Sequence, residues 1–247
     1  MPAERKGVQR RKHHVQQELF RHGGKRKGAG RKPRGHRAGT SHAERPEIEL
    51  KHPLHITLRV VPEVGNMRRR DMYRAVREAT IVAAIRERIR IVHLSIQSTH
   101  VHMLVEAENK LALTRGMQGF QISLARNINT VLGDHGRRRR GPVFADRYHL
   151  VVIRSPTQAR NALSYVINNW RKHQEDRREP RRIWLVDPYS SGISFPDWRE
   201  RRYEDCMLPV PHDHDPLIVY RPRSWLLREG WMRAGSVSAC EVPSRPR

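Results

Sequence analysis

Apolar and polar positions alternate or cluster in a way that marks out one folded region in the middle of the chain. Leu54-His55-Ile56-Thr57-Leu58-Arg59-Val60-Val61 reads as a strand stopped by Pro62. Residues 68–89 then carry Met72, Val76, Ala79, Ile81, Val82 and Ile85 at helical spacing among many charges. Two strands are predicted next, over 89–97 and 101–106, joined by a tight connection at Ser98-Thr99. A second helix is predicted over 112–132, with Met117, Phe120, Ile122, Leu124, Ile128 and Val131 on its apolar side and Gly133 closing it. Residues 143–154 predict a strand pair or one long strand. A third helix is predicted from Pro156 to Lys172, with Ser155 as its cap and Ala162, Leu163, Val166, Ile167 and Trp170 at helical spacing. The order strand, helix, strand, strand, helix, strand, helix fits a small α+β domain with a mainly antiparallel sheet and helices on its faces.

Outside this region the pattern weakens. Residues 1–45 hold fourteen Lys and Arg against Glu4, Glu18 and Glu44 with almost no apolar periodicity, which predicts a disordered basic arm over 1–50. Within it, Gly30-Arg31-Lys32-Pro33 is similar to the core of an AT-hook, in which an extended backbone carries arginine into a narrow minor groove. Residues 176–236 read as an extension that packs on the core. Asp187-Pro188-Tyr189-Ser190-Ser191-Gly192, Phe195 and Trp198 form a docking loop in it, and 223–231 a short helix stapled by Trp225 and Trp231. The tail 237–247 is expected to be disordered.

Composition narrows the partners. The 247-residue chain has a formal net charge of +24, which points to a polyanion, and nucleic acid is the expected one. Cys206 and Cys240 lie far apart, outside any metal-binding or redox spacing. No apolar run approaches a membrane span and no apolar signal core begins the chain, so a cytoplasmic, nucleoid-associated protein is expected. Arg137-Arg138-Arg139-Arg140 is expected to bind backbone phosphates, as is Arg147 beside Tyr148.

The chemistry is carried by His100-Val101-His102. Residues two apart on a strand share a face, so both imidazoles can converge on one divalent ion while Val101 points into the core. Imidazole pairs suit Mn²⁺ and oxygen donors suit Mg²⁺, which leaves both as candidates. On the third predicted helix Tyr165 and Asn169 lie four apart and face the same way.

Taken in order, His100-Val101-His102, Gly141-Pro142-Val143-Phe144-Ala145-Asp146-Arg147-Tyr148-His149 and the helix with Tyr165 and the Asn168-Asn169 pair resemble the HUH single-tyrosine transposases. The REP-associated tyrosine transposase branch is the nearest, and the resemblance spans residues 54–172. It implies a ferredoxin-like form of the fold and single-stranded or hairpin DNA as substrate. It also implies Tyr165 as a nucleophile that forms a 5′-phosphotyrosine, and Asn169 as a third, oxygen-donor metal ligand. Relatives place proline after the asparagine, whereas here Trp170 follows Asn169, so the helix is expected to run on toward His173. Tyr148 is the competing nucleophile, a DNA contact or a residue packed at the sheet edge, Tyr73 is assigned to core or surface, and His55, near the site or filling the sheet, is left outside the ligand set. A catalytically idle nucleic-acid-binding protein and a metal-dependent hydrolase using activated water are the rival classes. Monomer and homodimer both stay open.

Overall fold

The computed structural model describes residues 44–85, 88–177, 184–202 and 214–244, and the expected AT-hook-like segment with Arg31 and Lys32 lies outside them. β1 (Leu54–Arg59), α1 (Arg70–Ala84), β2 (Ile89–Ile96), β3 (His100–Ala107), α2 (Lys110–Val131), β4 (His149–Val152), α3 (Pro156–Ile167) and α4 (Asn169–Lys172) follow in the expected order. The sheet order is β2-β3-β1-β4, and every neighbouring pair is antiparallel. This is the α+β, ferredoxin-like arrangement.

Strand parity divides the sheet into two faces. Leu54, Ile56 and Leu58 of β1 pair with Val105, Met103 and Val101 of β3, and all six are fully buried under α1 and α2. The alternate residues, His55, Thr57 and Arg59 with Leu104, His102 and His100, turn to the other face, which α3 and the C-terminal segments cover. A bulge between Ile91 and His93 turns Val92 to that second face as well.

The helices bury narrower stripes than the sequence pattern suggested. In α1 the buried face is Met72, Val76, Ala79 and Ala83, whereas Val82 and Ile85 are exposed. In α2 it is Leu113, Met117, Phe120, Leu124 and Ile128, and Ile122 is exposed. Each buried set follows the 3.6-residue period, and the excluded residues lie off it. Asn109 caps α2, accepting from the Ala112 N–H at 2.9 Å. Gly116 lets α2 lie directly on β2, because a Cβ there would meet the Ile89 side chain at 2.4 Å.

Several boundaries differ from expectation. Ordered packing begins before residue 50, since Ile48 is buried and the Arg45 guanidinium lies 3.5 Å from the Tyr148 ring centroid. Strand β4 has four residues rather than the span 143–154; before it only Phe144 pairs, with Val60. Ser155 caps α3 as expected, accepting from the Gln158 N–H at 3.2 Å, with Pro156 in the first turn. The helix does not continue to His173, because Asn168 (φ −111°, ψ 10°) breaks it and α4 starts again at Asn169.

The C-terminal extension packs on the second face through Val186, Phe195, Trp198, Leu226, Leu227 and Trp231. The short helix is α5 (Trp225–Arg228), but only Trp231 is buried and Trp225 stays largely exposed. Buried Glu106 anchors its start, accepting from the N–H groups of Arg223 and Ser224 at 2.9 and 2.8 Å. The expected disorder from residue 237 is corrected for the described part, 237–244. Val237 and Ala239 are fully buried, and the Ser238 and Ala239 carbonyls accept from Asn168 Nδ2 at 2.9 Å and Arg171 Nε at 2.6 Å.

Candidate active site

The site grows from two neighbouring strands. Thr57 stands directly opposite His102 across the β1–β3 ladder, and Ser95 of β2 stands opposite it on the other side. Thr57 Oγ1 is 3.1 Å from His102 Nδ1, and His55 Nε2 is 3.2 Å from the same nitrogen. The His100 and His102 rings are edge to face with centroids 4.6 Å apart. Helix α3 is seated on this face by Ala159, Leu163 and Val166, which bury against Val92 and Leu104. That seating brings the Tyr165 ring to 5.1 Å from His102 and 5.7 Å from His55. Beyond the break, the Lys172 ammonium lies 4.9 Å from the Tyr165 ring centroid and the His173 ring lies 5.9 Å from that of His100.

Burial keeps these imidazoles neutral. It lowers His55 and His100 to about 4, with further lowering of His55 by His149 and His100, and of His100 by His173 and Arg59. His102 is held well below the ordinary imidazole value by burial, then by His100 and His55. His173 is lowered by burial and by Lys172. Neutral imidazole is the metal-ligating form.

The residues present fit a divalent ion. His102 Nδ1 is engaged by Thr57 and His55, whereas His102 Nε2 is buried with no hydrogen-bond partner. A ring nitrogen fixed on one side and vacant on the other is the usual disposition of a metal-bound histidine. Both carboxamide atoms of Asn169 are also buried without partners. Among the described residues no three His, Cys, Asp or Glu side chains form a metal-holding group.

The comparisons with known proteins can be set beside this geometry. The family model for the IS200-like transposases matches residues 51–169, the stretch that holds the sheet, the histidine pair and Tyr165. Over residues 51–169 the chain is similar to the IS200-like transposases. A solved structure described as the REP-associated tyrosine transposase bound to a REP hairpin is similar at 14% identity and a TM-score of 0.47, covering 73% of this chain and all of that one. No curated protein matches.

Other expected site residues fall elsewhere. Tyr148 is corrected on two counts: it precedes β4 rather than lying in a strand, and it is buried in the α1/α2 core on the opposite face of the sheet from the histidines. It can neither compete with Tyr165 for the same phosphate nor offer its ring to DNA. Arg147 beside it is half-buried. Arg137, Arg138, Arg139 and Arg140 line an open cavity of about 1050 Å³ with Arg126 and Asn129 of α2, on the α1/α2 layer rather than beside Tyr165. Arg139 is tied down there by Asn129 Oδ1 at 2.8 Å. Tyr73 is a core residue whose hydroxyl donates to the Asp215 carbonyl at 2.8 Å. Sequence reasoning missed Thr57, Lys172 and His173, and left His55 open between the site and the sheet. His173 stands eight residues after Tyr165, two helical turns on, and that spacing was available; the other placements needed the strand register.

No helix among the described residues is long and apolar enough to cross a membrane.

Proposed function

We propose that this domain cuts and rejoins a single DNA strand by transesterification through Tyr165. The observation that carries the reading is the convergence of one tyrosine on a pair of neutral, strand-borne histidines, with the Tyr165 ring 5.1 Å from His102. A hydrolase that activates water has no need of a phenol there.

The Tyr165 oxygen attacks the scissile phosphorus, forming a Tyr165–phosphate ester while the bond from phosphorus to the 3′ oxygen breaks. The phenol proton passes to solvent, the departing 3′ oxygen takes up a proton, and the 5′-phosphate stays on the protein. One ester replaces another, so a 3′-hydroxyl can reverse the step without an external energy source. Lys172, 4.9 Å from the ring centroid, favours the phenolate as its proton leaves. Thr57 and His55 hold the His102 ring in orientation. His100, His102 and Asn169 would hold Mg²⁺ or Mn²⁺, which when bound supplies positive charge against the non-bridging phosphate oxygens. Single-stranded DNA, alone or beside a hairpin, is the proposed substrate. The net charge of +24 and the arginines around the α2 cavity support a phosphate backbone as partner.

The test is strand cleavage of a single-stranded oligonucleotide with Mn²⁺ present. Tyr165→Phe and the double change His100→Ala with His102→Ala should each lower cleavage by at least about a thousandfold while DNA affinity stays within a few-fold. Metal-dependent cleavage that survives in either protein overturns the proposal.

A further inference from the structure

A second cavity, between β4 and α3, shares only His55 with the chemistry above. It encloses about 590 Å³, within the range of small-ligand sites, and His55, Val151, Thr157, Gln158, Asn161 and Ser244 are among its lining residues. Its inner end is His55, which touches His102 and stands edge-on to Tyr165 at 5.7 Å. Whatever fills the cavity therefore abuts the reacting centre. Among the described residues its walls are apolar strand residues faced by hydroxyls and carboxamides, with no Lys, Arg, Asp or Glu. That lining suits a nucleobase, with apolar faces and a donor–acceptor edge, better than a phosphate.

Asn161 sits one helical turn before Tyr165 and is half-buried, and no hydrogen-bond partner engages its carboxamide among the described residues. Gln158 is by contrast committed, accepting from the Arg154 N–H at 2.8 Å. Among the described residues β4 is the terminal strand of the sheet, and one of its edges has no neighbouring strand.

We propose that this cavity holds the base of a nucleotide flanking the scissile phosphate and that Asn161 reads its edge. The proposal rests on the transesterification reading. A carboxamide offers one donor and one acceptor side by side, which matches adenine at N7 and N6, whereas guanine presents two acceptors on the same edge. Asn161 is thus a specificity determinant, and adenine the favoured base.

The test incubates the full chain with Mn²⁺ and a randomised single-stranded DNA pool, captures covalent adducts under denaturing conditions and sequences the captured ends. The wild-type protein should enrich adenine at one position flanking the cut by roughly ten-fold over guanine. Asn161→Ala should flatten that preference. Asn161→Asp, which keeps the shape and offers only acceptors, should shift it toward cytosine; this isosteric variant carries the test where the alanine protein does not fold. An adduct with no flanking preference in the wild type, or an unchanged preference in the folded variants, overturns the base site and leaves the Tyr165 chemistry standing. Absence of any adduct from the wild-type pool overturns the chemistry, and the base site with it.

Discussion

His102 has a different task for each ring nitrogen. Nδ1 meets Thr57 and His55 at 3.1 and 3.2 Å, and Nε2 is buried and vacant. Thr57→Val removes one of the two partners without changing shape, so Mn²⁺ affinity should fall roughly ten-fold by calorimetric titration; unchanged affinity would mean that Thr57 does not orient the ring. His55, His93 and His100 are lowered to about 4 chiefly by burial. The unfolded chain takes up these protons near pH 6.5, whereas the folded protein resists until about 4, so acidification draws the equilibrium toward unfolding. Stability should be flat above about pH 7 and fall between 6.5 and 4, by about 1.4 kcal/mol per histidine per pH unit. Urea melts across that window check it, and a flat profile would show that these rings are more solvated than the fold implies. His100 and His102 were legible in sequence because their two-residue spacing puts them on one strand face, whereas Tyr165 was set beside them only by the family resemblance. The role of His55 was not legible, because it depends on the β1–β3 register, a contact between residues 47 apart in the chain. Tyr148 was misread for the same reason: once Thr57 is paired with His149, parity sends Tyr148 to the far face.

At the scale of elements, the helix that presents Tyr165 is held from outside. Val237 and Ala239 pack against the α3 layer, Asn168 and Arg171 donate to carbonyls of 238 and 239, and Glu241 accepts from Arg160 and Ser164. Ending the chain after Ser236 should cost about 2–3 kcal/mol from lost burial and bonds, lowering Tm by about 5–10 °C. Differential scanning calorimetry decides it, and an unchanged Tm would show that the segment does not support the helix. Element order, the Ser155 cap and the close of α2 before Gly133 were written in local chemistry, while its start came two residues ahead of the expected Ala112. The break at Asn168 and the ordered end of the chain were not so written. Asn168 leaves the helix to donate to Ser238, seventy residues on, and Val237 gains burial only from a surface assembled elsewhere. Short polar segments of this kind resemble disorder until their receptor face is known.

At the scale of the molecule, the segment before α1 and the C-terminal extension are tied by a buried ion cluster. Arg68 donates to both Asp187 oxygens at 2.9 and 2.7 Å and to the Ile96 carbonyl at 2.7 Å, with Glu175 3.8 Å from its Nε. Arg68→Met would leave the buried Asp187 carboxylate without its counter-charge, at a cost of about 3–5 kcal/mol in urea unfolding; a cost below about 1 kcal/mol would mean that the cluster is solvated. Deleting residues 1–43, which carry thirteen Lys and Arg, should weaken DNA binding and reduce its salt dependence, as fewer counterions are released. An unchanged slope of log affinity against log salt would show that this segment leaves phosphates untouched. The central claim, however, concerns one oxygen atom. Its most direct measurement is peptide mapping by mass spectrometry of the denaturant-resistant adduct formed on single-stranded DNA with Mn²⁺. The account predicts a nucleotide attached through its 5′-phosphate to the peptide containing Tyr165. A nucleotide on any other residue, or strand cleavage with no adduct, would contradict it.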